Sequence, residues 1–465
     1  MNHFTRLCAT VGVAVGMLAS AHAAFAADSN DAALLQRGEY LATAGDCIAC
    51  HSAAAGKPYA GGLAIATPLG KIVSSNITPS KTNGIGNYTL EQFDDALRRG
   101  VRADGQHLYP AMPYTAYAQL NDDDVKALYT YFQHGVTAVD SQPAATTLPF
   151  PFNIRLSMAA WNLLFLDGKP FVPDTSKSAE WNRGAYLVLG LAHCSACHTP
   201  RNVAMAEDSA QPLAGAVVST WFAPNISNDP VSGIGGWSEA EIAEYLRSGR
   251  AVGKAQAAGP MAEAIDNSLS RLTDADRKAI AVYLKAGPIQ HHAGDDTQAA
   301  YSWGQPALAI GADRGAARVG DTTLFNGAQL YDANCAACHQ AHAEGTPAWG
   351  KDGAALPSLF HNTALGHANS NNLVMAMLDG VARKSDDVMM PSFRQQLTDQ
   401  QIATLSNYLL QHYGNPAAKV TVAQVSQLRA GGASSSLLTT ARVGIVVAVL
   451  LLLLIVLLVA RRRRK

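Results

Sequence analysis

Five residues, Cys47-Ile48-Ala49-Cys50-His51, set a pattern that returns as Cys194-Ser195-Ala196-Cys197-His198 and as Cys335-Ala336-Ala337-Cys338-His339. Two thiols one turn apart, with an imidazole directly after the second, suit covalent haem attachment. Each thiol bonds one vinyl group, and the imidazole meets the iron from the proximal side. A single Cys-x-x-Cys would fit a redox pair or half a zinc site as well. Three copies, each with its own histidine, point to three haems c. Cys47, Cys50, Cys194, Cys197, Cys335 and Cys338 are then the attachment thiols, and His51, His198 and His339 the proximal iron ligands.

A haem that only transfers electrons is best six-coordinate, and a methionine thioether opposite the histidine raises its potential. Each unit offers such a methionine ahead of its last helical pattern. Met112 lies 61 residues after His51 in Tyr109-Pro110-Ala111-Met112-Pro113-Tyr114, and Met261 lies 63 after His198 in Gly259-Pro260-Met261. Met390 lies 51 after His339 in Met390-Pro391-Ser392-Phe393. Met389 competes for the third position, but Met390 is preferred because it precedes a proline, as Met112 does. Met375 and Met377 read as core. His193 is expected near the second haem, at the surface beside a propionate, and Pro200 is expected to help set a carbonyl against the His198 ring. No nucleophile motif, flavin fingerprint or catalytic metal motif accompanies these residues, so no catalytic residue is assigned.

The elements that must position these groups also repeat. A short helical pattern with a glycine near its start leads into each motif: Gly38-Glu39-Tyr40-Leu41, Gly184-Ala185-Tyr186-Leu187 and Gly327-Ala328-Gln329-Leu330-Tyr331. A later helix opens at Asn121, Thr273 and Thr398, read as N-caps, with Asp124, Asp276 and Gln401 three residues on. Only Thr398 with Gln401 makes a capping box. Tyr131, Tyr283 and Tyr408 share one register on that helix and are expected to pack against the first. Units one and two share Asn76-Ile77 and Asn225-Ile226, each followed by Gly-Ile-Gly and a helix (Leu90 to Arg99, Glu239 to Ser248). The Gly-Ile-Gly turn is read as a loop closing over a haem edge. Unit three lacks this block and has Leu356-Pro357-Ser358-Leu359-Phe360 instead, with a helix from about Asn371 to Ala382.

The expected fold is all-α: three tandem haem domains over 28–140, 179–288 and 321–415, joined by linkers at 141–178 and 289–320. A further linker, 416–442, leads to a transmembrane helix. Val443 to Ala460 holds no charge, and its 18 residues at about 1.5 Å each span roughly 27 Å, close to a bilayer core. Arg461 to Lys465 then reads as a cytoplasmic basic tail, which places the haem domains on the periplasmic side of the inner membrane. At the other end, Arg6, the apolar run Val11 to Ser20 and Ala24-Phe25-Ala26 read as a signal peptide over 1–27. Cys8 leaves with it, so no cysteine remains for a structural disulfide. Setting aside Arg6 and the five tail cations leaves 29 basic residues against 36 acidic, which argues against nucleic acid as a partner.

With the three pentapeptides, Ser75-Asn76-Ile77-Thr78-Pro79, Tyr109 to Tyr114 and Gly259-Pro260-Met261 in hand, the chain resembles the triple-haem cytochrome c subunits of bacterial membrane-bound dehydrogenases. These serve alcohol, aldehyde, fructose, sorbitol and gluconate oxidation. The resemblance runs from about Ser29 to Leu428. It implies a separate catalytic subunit carrying a flavin, PQQ or molybdenum centre, with a small third subunit as a further candidate partner, and electron delivery through the haems to ubiquinone. Around Leu356 to Asn362 the likeness leans toward a flavin-containing polyol, sugar or sugar-acid dehydrogenase. Two other readings stay open: a free-standing membrane cytochrome feeding a terminal oxidase, and a multihaem peroxidase, which three methionine ligands disfavour.

Overall fold

The structure, a computed structural model, describes residues 31–292, 298–306, 326–346, 356–383, 389–432 and 436–464. The expected signal peptide, parts of the linkers and Lys465 lie outside the described residues.

Unit one begins with α1 (31–44) and the pentapeptide helix α2 (Cys47–His51). A hairpin of β1 (Ala64–Thr67) and β2 (Gly70–Val73) follows, then α3 (Leu90–Arg98), α4 (Tyr114–Tyr117) and α5 (Asp122–Thr130). A further helix, α6 (Ser157–Phe165), lies in the stretch leading to unit two. That unit runs α7 (Ala179–Ala185), α8 (Ser195–His198), β3 (Ala216–Val218), β4 (Trp221–Ala223), α9 (Glu239–Ser248), β5 (Arg250–Ala251), β6 (Ala255–Gln256), α10 (Gly259–Asn267) and α11 (Asp274–Lys285). Unit three has α12 (Gly327–Asn334), α13 (Ala336–His339), α14 (Thr363–Gly366), α15 (Asn371–Asp379) and α16 (Asp399–Tyr413). Two helices close the chain, α17 (Val422–Arg429) and α18 (Leu437–Arg463).

Each unit is held by a crossing of its first and last helices, and the repeated glycine is what allows it. A Cβ at Gly38 would strike the Ala127 carbonyl and lie 2.6 Å from Tyr131 Cβ. At Gly184 it would strike the Ala279 carbonyl and lie 2.8 Å from Tyr283 Cβ, and at Gly327 it would strike Tyr408. The tyrosines expected to meet the first helix therefore do so, with their own Cβ atoms at the closest approach. The last helices start as expected. Asn121, Thr273 and Thr398 accept from the backbone N–H three residues on, and only Thr398 with Gln401 closes a box among them. Boxes at Thr89 with Gln92, Ser238 with Glu241 and Asn326 with Gln329 were not foreseen. Helix α15 stops at Asp379, short of Ala382, because Gly380 turns to φ 77° and its N–H caps back onto the Ala376 carbonyl.

The all-α expectation holds for the framework but misses the three antiparallel hairpins, β1–β2, β3–β4 and β5–β6. Their strands are two to four residues long, too short to show alternation in the sequence.

Units one and two share one apolar core, in which Leu41, Leu120 and Leu128 adjoin Leu187, Ile265 and Ile280. Unit three has its own, built on Leu330, Val374, Leu378, Ile402 and Leu410. The first two units are also locked by a reciprocal pair of bonds. The Tyr40 hydroxyl donates to Asp276 and the Tyr186 hydroxyl donates to Asp124, both at 2.5 Å. Each carboxylate also accepts from an arginine of its own unit, Arg183 Nε at 2.8 Å and Arg37 Nε at 2.7 Å. The N3 carboxylates that sequence logic assigned to helix starts thus also join the two units.

Burial works against the Asp276 charge, but the Arg183 and Tyr40 bonds outweigh it and hold its pKa below the ordinary 3.8. A depressed carboxyl contributes stability above its unfolded pKa and loses it as pH falls through the folded value. The unit one–two interface should therefore weaken as pH drops below about 4. Thermal melts from pH 7 down to pH 3 would show this, and Asp276→Asn should flatten that part of the profile while costing about 2 kcal/mol at neutral pH. A profile unchanged in the variant would remove Asp276 from the account.

Helix α18 is 27 residues long, an 18-residue stretch of it has mean hydropathy 3.6, and none of its residues is buried against the rest of the protein. It is the one helix among the described residues long and apolar enough to cross a membrane.

Candidate haem-binding sites

Each pentapeptide forms a single helical turn directly after the first helix of its unit, which throws the histidine ring under the core. The three rings are then fixed in the same way. His51 Nδ1 lies 2.8 Å from the Ser75 carbonyl, His198 Nδ1 2.6 Å from Pro224 and His339 Nδ1 2.8 Å from Pro357. A carbonyl only accepts, so Nδ1 carries the proton and Nε2 keeps its lone pair. Burial pushes all three imidazole pKa values down, which keeps them neutral. A neutral, oriented imidazole with a free Nε2 is what an iron ligand requires.

Pro200 does not supply the carbonyl to His198; it accepts instead from the Asp208 N–H at 2.8 Å. The acceptor comes from 26 residues after the histidine, out of reach of any local pattern.

The acceptor carbonyls are held by a repeated loop. The N–H groups of Gly61, Gly215 and Gly345 return to the carbonyls of His51, His198 and His339 at 2.7, 2.7 and 3.1 Å. All three glycines have positive φ (71°, 90° and 69°), and a Cβ there would press on the acceptor strand: 2.5 Å from Ser75 C, 2.7 Å from Asn225 N and 2.8 Å from Pro357 C. Two residues earlier, Tyr59, Leu213 and Ala343 accept from the N–H groups of Ile77, Ile226 and Leu359 at 2.9, 2.9 and 3.0 Å. The Asn76 and Asn225 side chains close the turn by accepting from Thr78 and Ser227 N–H, and Ser358 does so for Phe360. Unit three therefore keeps the front half of the block it was expected to lack, with Pro357-Ser358-Leu359 in place of Asn-Ile. The Gly-Ile-Gly turn is tied to this strand in units one and two, where Ile85 N–H donates to Thr78 and Ile234 N–H to Ser227.

Burial pushes the thiols of Cys47, Cys194 and Cys335 up to about 12. Burial thus disfavours at these three positions the thiolate that disulfide exchange uses.

Met112 and Met261 are half-buried against the shared core that also takes in Cys47 and Cys194, and Met390 is half-buried against the core holding Cys335. Met390 is pinned by two backbone bonds to Val381, at 3.0 and 2.9 Å, whereas the Met389 side chain is 61% exposed. Met375 and Met377 are buried on α15.

His193 is not a surface residue. It is half-buried with φ 38°, and its Nε2 lies 3.2 Å from the Gly45 carbonyl, two residues before Cys47. The Tyr117 hydroxyl donates to the same carbonyl at 3.1 Å, and its ring meets the His193 ring edge-on. One imidazole thus bridges the first and second pentapeptide loops. Only its adjacency to Cys194 hinted at this in the sequence.

Three covalent attachment motifs, each with an oriented proximal imidazole on the same loop scaffold, define a multihaem cytochrome c. The sequence profile of the family described as Cytochrome c matches residues 35–135, 182–287 and 325–412, one match per unit. The chain is 48% identical over 409 residues to the fructose dehydrogenase cytochrome subunit of Gluconobacter japonicus, covering 86% of this chain and 83% of the relative. It is 41% identical to the gluconate 2-dehydrogenase cytochrome c subunit of Pantoea cypripedii, covering 88% of this chain and 92% of the relative. To the cytochrome c subunit of the quinone alcohol dehydrogenase of Gluconacetobacter polyoxogenes it is 37% identical, covering 92% and 91%. The chain belongs to the cytochrome c family, in the group of multihaem cytochrome subunits of membrane-bound dehydrogenases.

Proposed function

We propose that this chain is the electron-transfer subunit of a membrane-bound dehydrogenase, with three haem domains over 28–140, 179–288 and 321–415. The observation that carries the reading is the threefold recurrence of one proximal arrangement: a Cys-x-x-Cys-His turn whose histidine Nδ1 is committed to a carbonyl 18 to 26 residues away. When bound, each haem iron takes up and releases one electron at a time. The protein's part is to hold the rings. Cys47 and Cys50, Cys194 and Cys197, and Cys335 and Cys338 attach them; His51, His198 and His339 bind from the proximal side; Met112, Met261 and Met390 close the distal side. The apolar cores beside Met112, Met261 and Met390 would favour the less charged, reduced state.

The methionine assignment has a direct test. Met112→Ala, Met261→Ala and Met390→Ala should each turn one of the three haems from low-spin to high-spin and lower its potential, while Met389→Ala leaves the spectrum unchanged. Electronic absorption and redox titration of the purified chain read both effects. A spectral change in Met389→Ala and none in Met390→Ala would reverse the assignment.

The proposed donor is a catalytic subunit that oxidises a sugar or sugar acid, of flavin type in preference to PQQ or molybdenum, with a small third subunit as a further partner. The relatives named for fructose and gluconate, at 48% and 41% identity, stand above the one named for alcohol at 37%. The proposed acceptor is ubiquinone in the inner membrane, with α18 as anchor, the Arg461 to Lys465 tail in the cytoplasm and the haem units in the periplasm. Purification in mild detergent should recover a dehydrogenase subunit, and sugar should reduce the haems only when that subunit is present. A chain that purifies alone would favour the free-standing cytochrome instead.

A further inference from the structure

Helix α6 lies between the first two haem units, and no haem ligand or attachment residue belongs to it. From Leu156 to Leu166 it has no charged residue, and from Ser141 to Leu166 the one charge is Arg155. Its inner face is specific. The Trp161 ring meets Tyr114 edge-on at 6.3 Å and its Nε1 donates to the Ala204 carbonyl at 2.9 Å. Asn162 accepts from the Tyr114 hydroxyl at 2.7 Å and donates to the Arg99 carbonyl at 3.1 Å. The outer face is apolar and open: Leu156, Leu163 and Leu164 are 76%, 86% and 73% exposed. Phe150 and Ile154, on the turn entering the helix, are also exposed. A single exposed leucine needs no explanation, but five large apolar side chains on one helix and its entry turn form a contact patch.

The start of α18 indicates what covers that patch. Arg442 is the last charged residue before the apolar run, and its Nε donates to the Phe150 carbonyl at 3.1 Å. If Val443 enters the hydrocarbon, Arg442 sits at the headgroups, and Phe150 is held at the same level. We infer that Phe150 to Leu164 is a second membrane-contact site, in which α6 lies in the bilayer surface with Leu156, Leu163 and Leu164 inserted at the headgroup–acyl boundary. An apolar helical face is suited to that depth. The inference rests on the membrane reading of α18.

The consequence is orientation. A single span joined through Gly431 and Gly432 leaves the haem units free to swivel, whereas a second contact removes that freedom. Because α6 is bonded to Tyr114, two residues from Met112, and to Ala204, six residues after His198, the contact holds the joined first two units against the membrane.

The test uses the full chain with its partner subunits, reduced so that the haems are diamagnetic, in vesicles of phosphatidylcholine and phosphatidylglycerol. Nitroxide labels are placed at Leu164→Cys, at Leu452→Cys in the span and at Val252→Cys on an exposed turn of unit two. Oxygen, which dissolves in lipid, and a nickel chelate, which stays in water, then compete to relax each label. The Leu164 label should favour oxygen several-fold over the Val252 label and fall short of the Leu452 label. A Leu164 label that behaves like Val252, or is shielded from both relaxants by protein, overturns the inference while a lipid-exposed Leu452 label leaves the anchor intact. An aqueous Leu452 label would instead overturn the membrane reading, and this inference with it.

Discussion

Gly184→Ala should leave the chain with two haems in place of three. The added Cβ cannot be relieved by a rotamer change, because it meets the Ala279 carbonyl and sits 2.8 Å from Tyr283 Cβ at the closest point of the α7–α11 crossing. Overpacking a core that can adjust costs about 1–3 kcal/mol. Here the obstacle is backbone, so the cost should reach or exceed about 3 kcal/mol, a large part of the stability of a small domain. The crossing also carries Asp276 and Arg183, so its loss should loosen the junction with unit one. Haem-to-protein ratio and thermal melting are the measurements. Gly190→Ala is the control, since a Cβ there meets nothing closer than Gln119 Cβ at 3.5 Å. A Gly184→Ala chain with full haem and an unchanged melt would show that the crossing is not what holds unit two.

The second large effect concerns the seat of unit three on unit two. Arg383, in the chain just after α15, reaches α10 and grips Asp266 through Nε at 3.1 Å and Nη2 at 2.6 Å. The two side chains are 2% and 7% exposed. The guanidinium lies against Gly249, and its Nη1 is buried with no hydrogen-bond partner among the described residues. Removing one member of a buried pair leaves the other charge without its partner, at about 3–5 kcal/mol. Asp266→Ala should therefore loosen unit three, although the Asn372 side chain still bonds both the Phe222 N–H and carbonyl. The expected signs are faster proteolysis between units two and three and slower electron equilibration with the third haem. Replacing both partners with apolar residues, Asp266→Leu with Arg383→Met, should recover most of the loss. If Asp266→Ala cuts no faster than the parent, the pair is not what seats unit three.

Much of the candidate site was legible because its chemistry is local. The six thiols and three histidines sit in contiguous pentapeptides, and the N-caps at Asn121, Thr273 and Thr398 depend on neighbours three residues away. Met390 over Met389 followed from the proline after it, and the exposure of Met389 agrees with that preference. The misses share one cause. Pro200 is the helper that sequence proximity suggests for His198, while the carbonyl used belongs to Pro224. His193, just before Cys194, reads as a surface residue beside a propionate, while its partner is Gly45 of the preceding unit. Pro357-Ser358 was not recognised as the counterpart of Asn76 and Asn225 because its residue types differ; only its bonds reveal it.

The sequence alone determined three haem attachment motifs, their candidate ligands, the repeating two-helix frame and an apolar segment long enough to span a bilayer. These are written in residue type and short spacing. The tertiary structure decided how the units are arranged. It joined units one and two in one core, crossed their tyrosines onto each other's aspartates and placed unit three on Asp266. It also bonded Arg442, at the start of α18, to the Phe150 carbonyl on the turn that enters α6. Those contacts join residues up to 292 positions apart. Their pairing depends on how the folded backbone brings surfaces together, which no local pattern of residue types encodes.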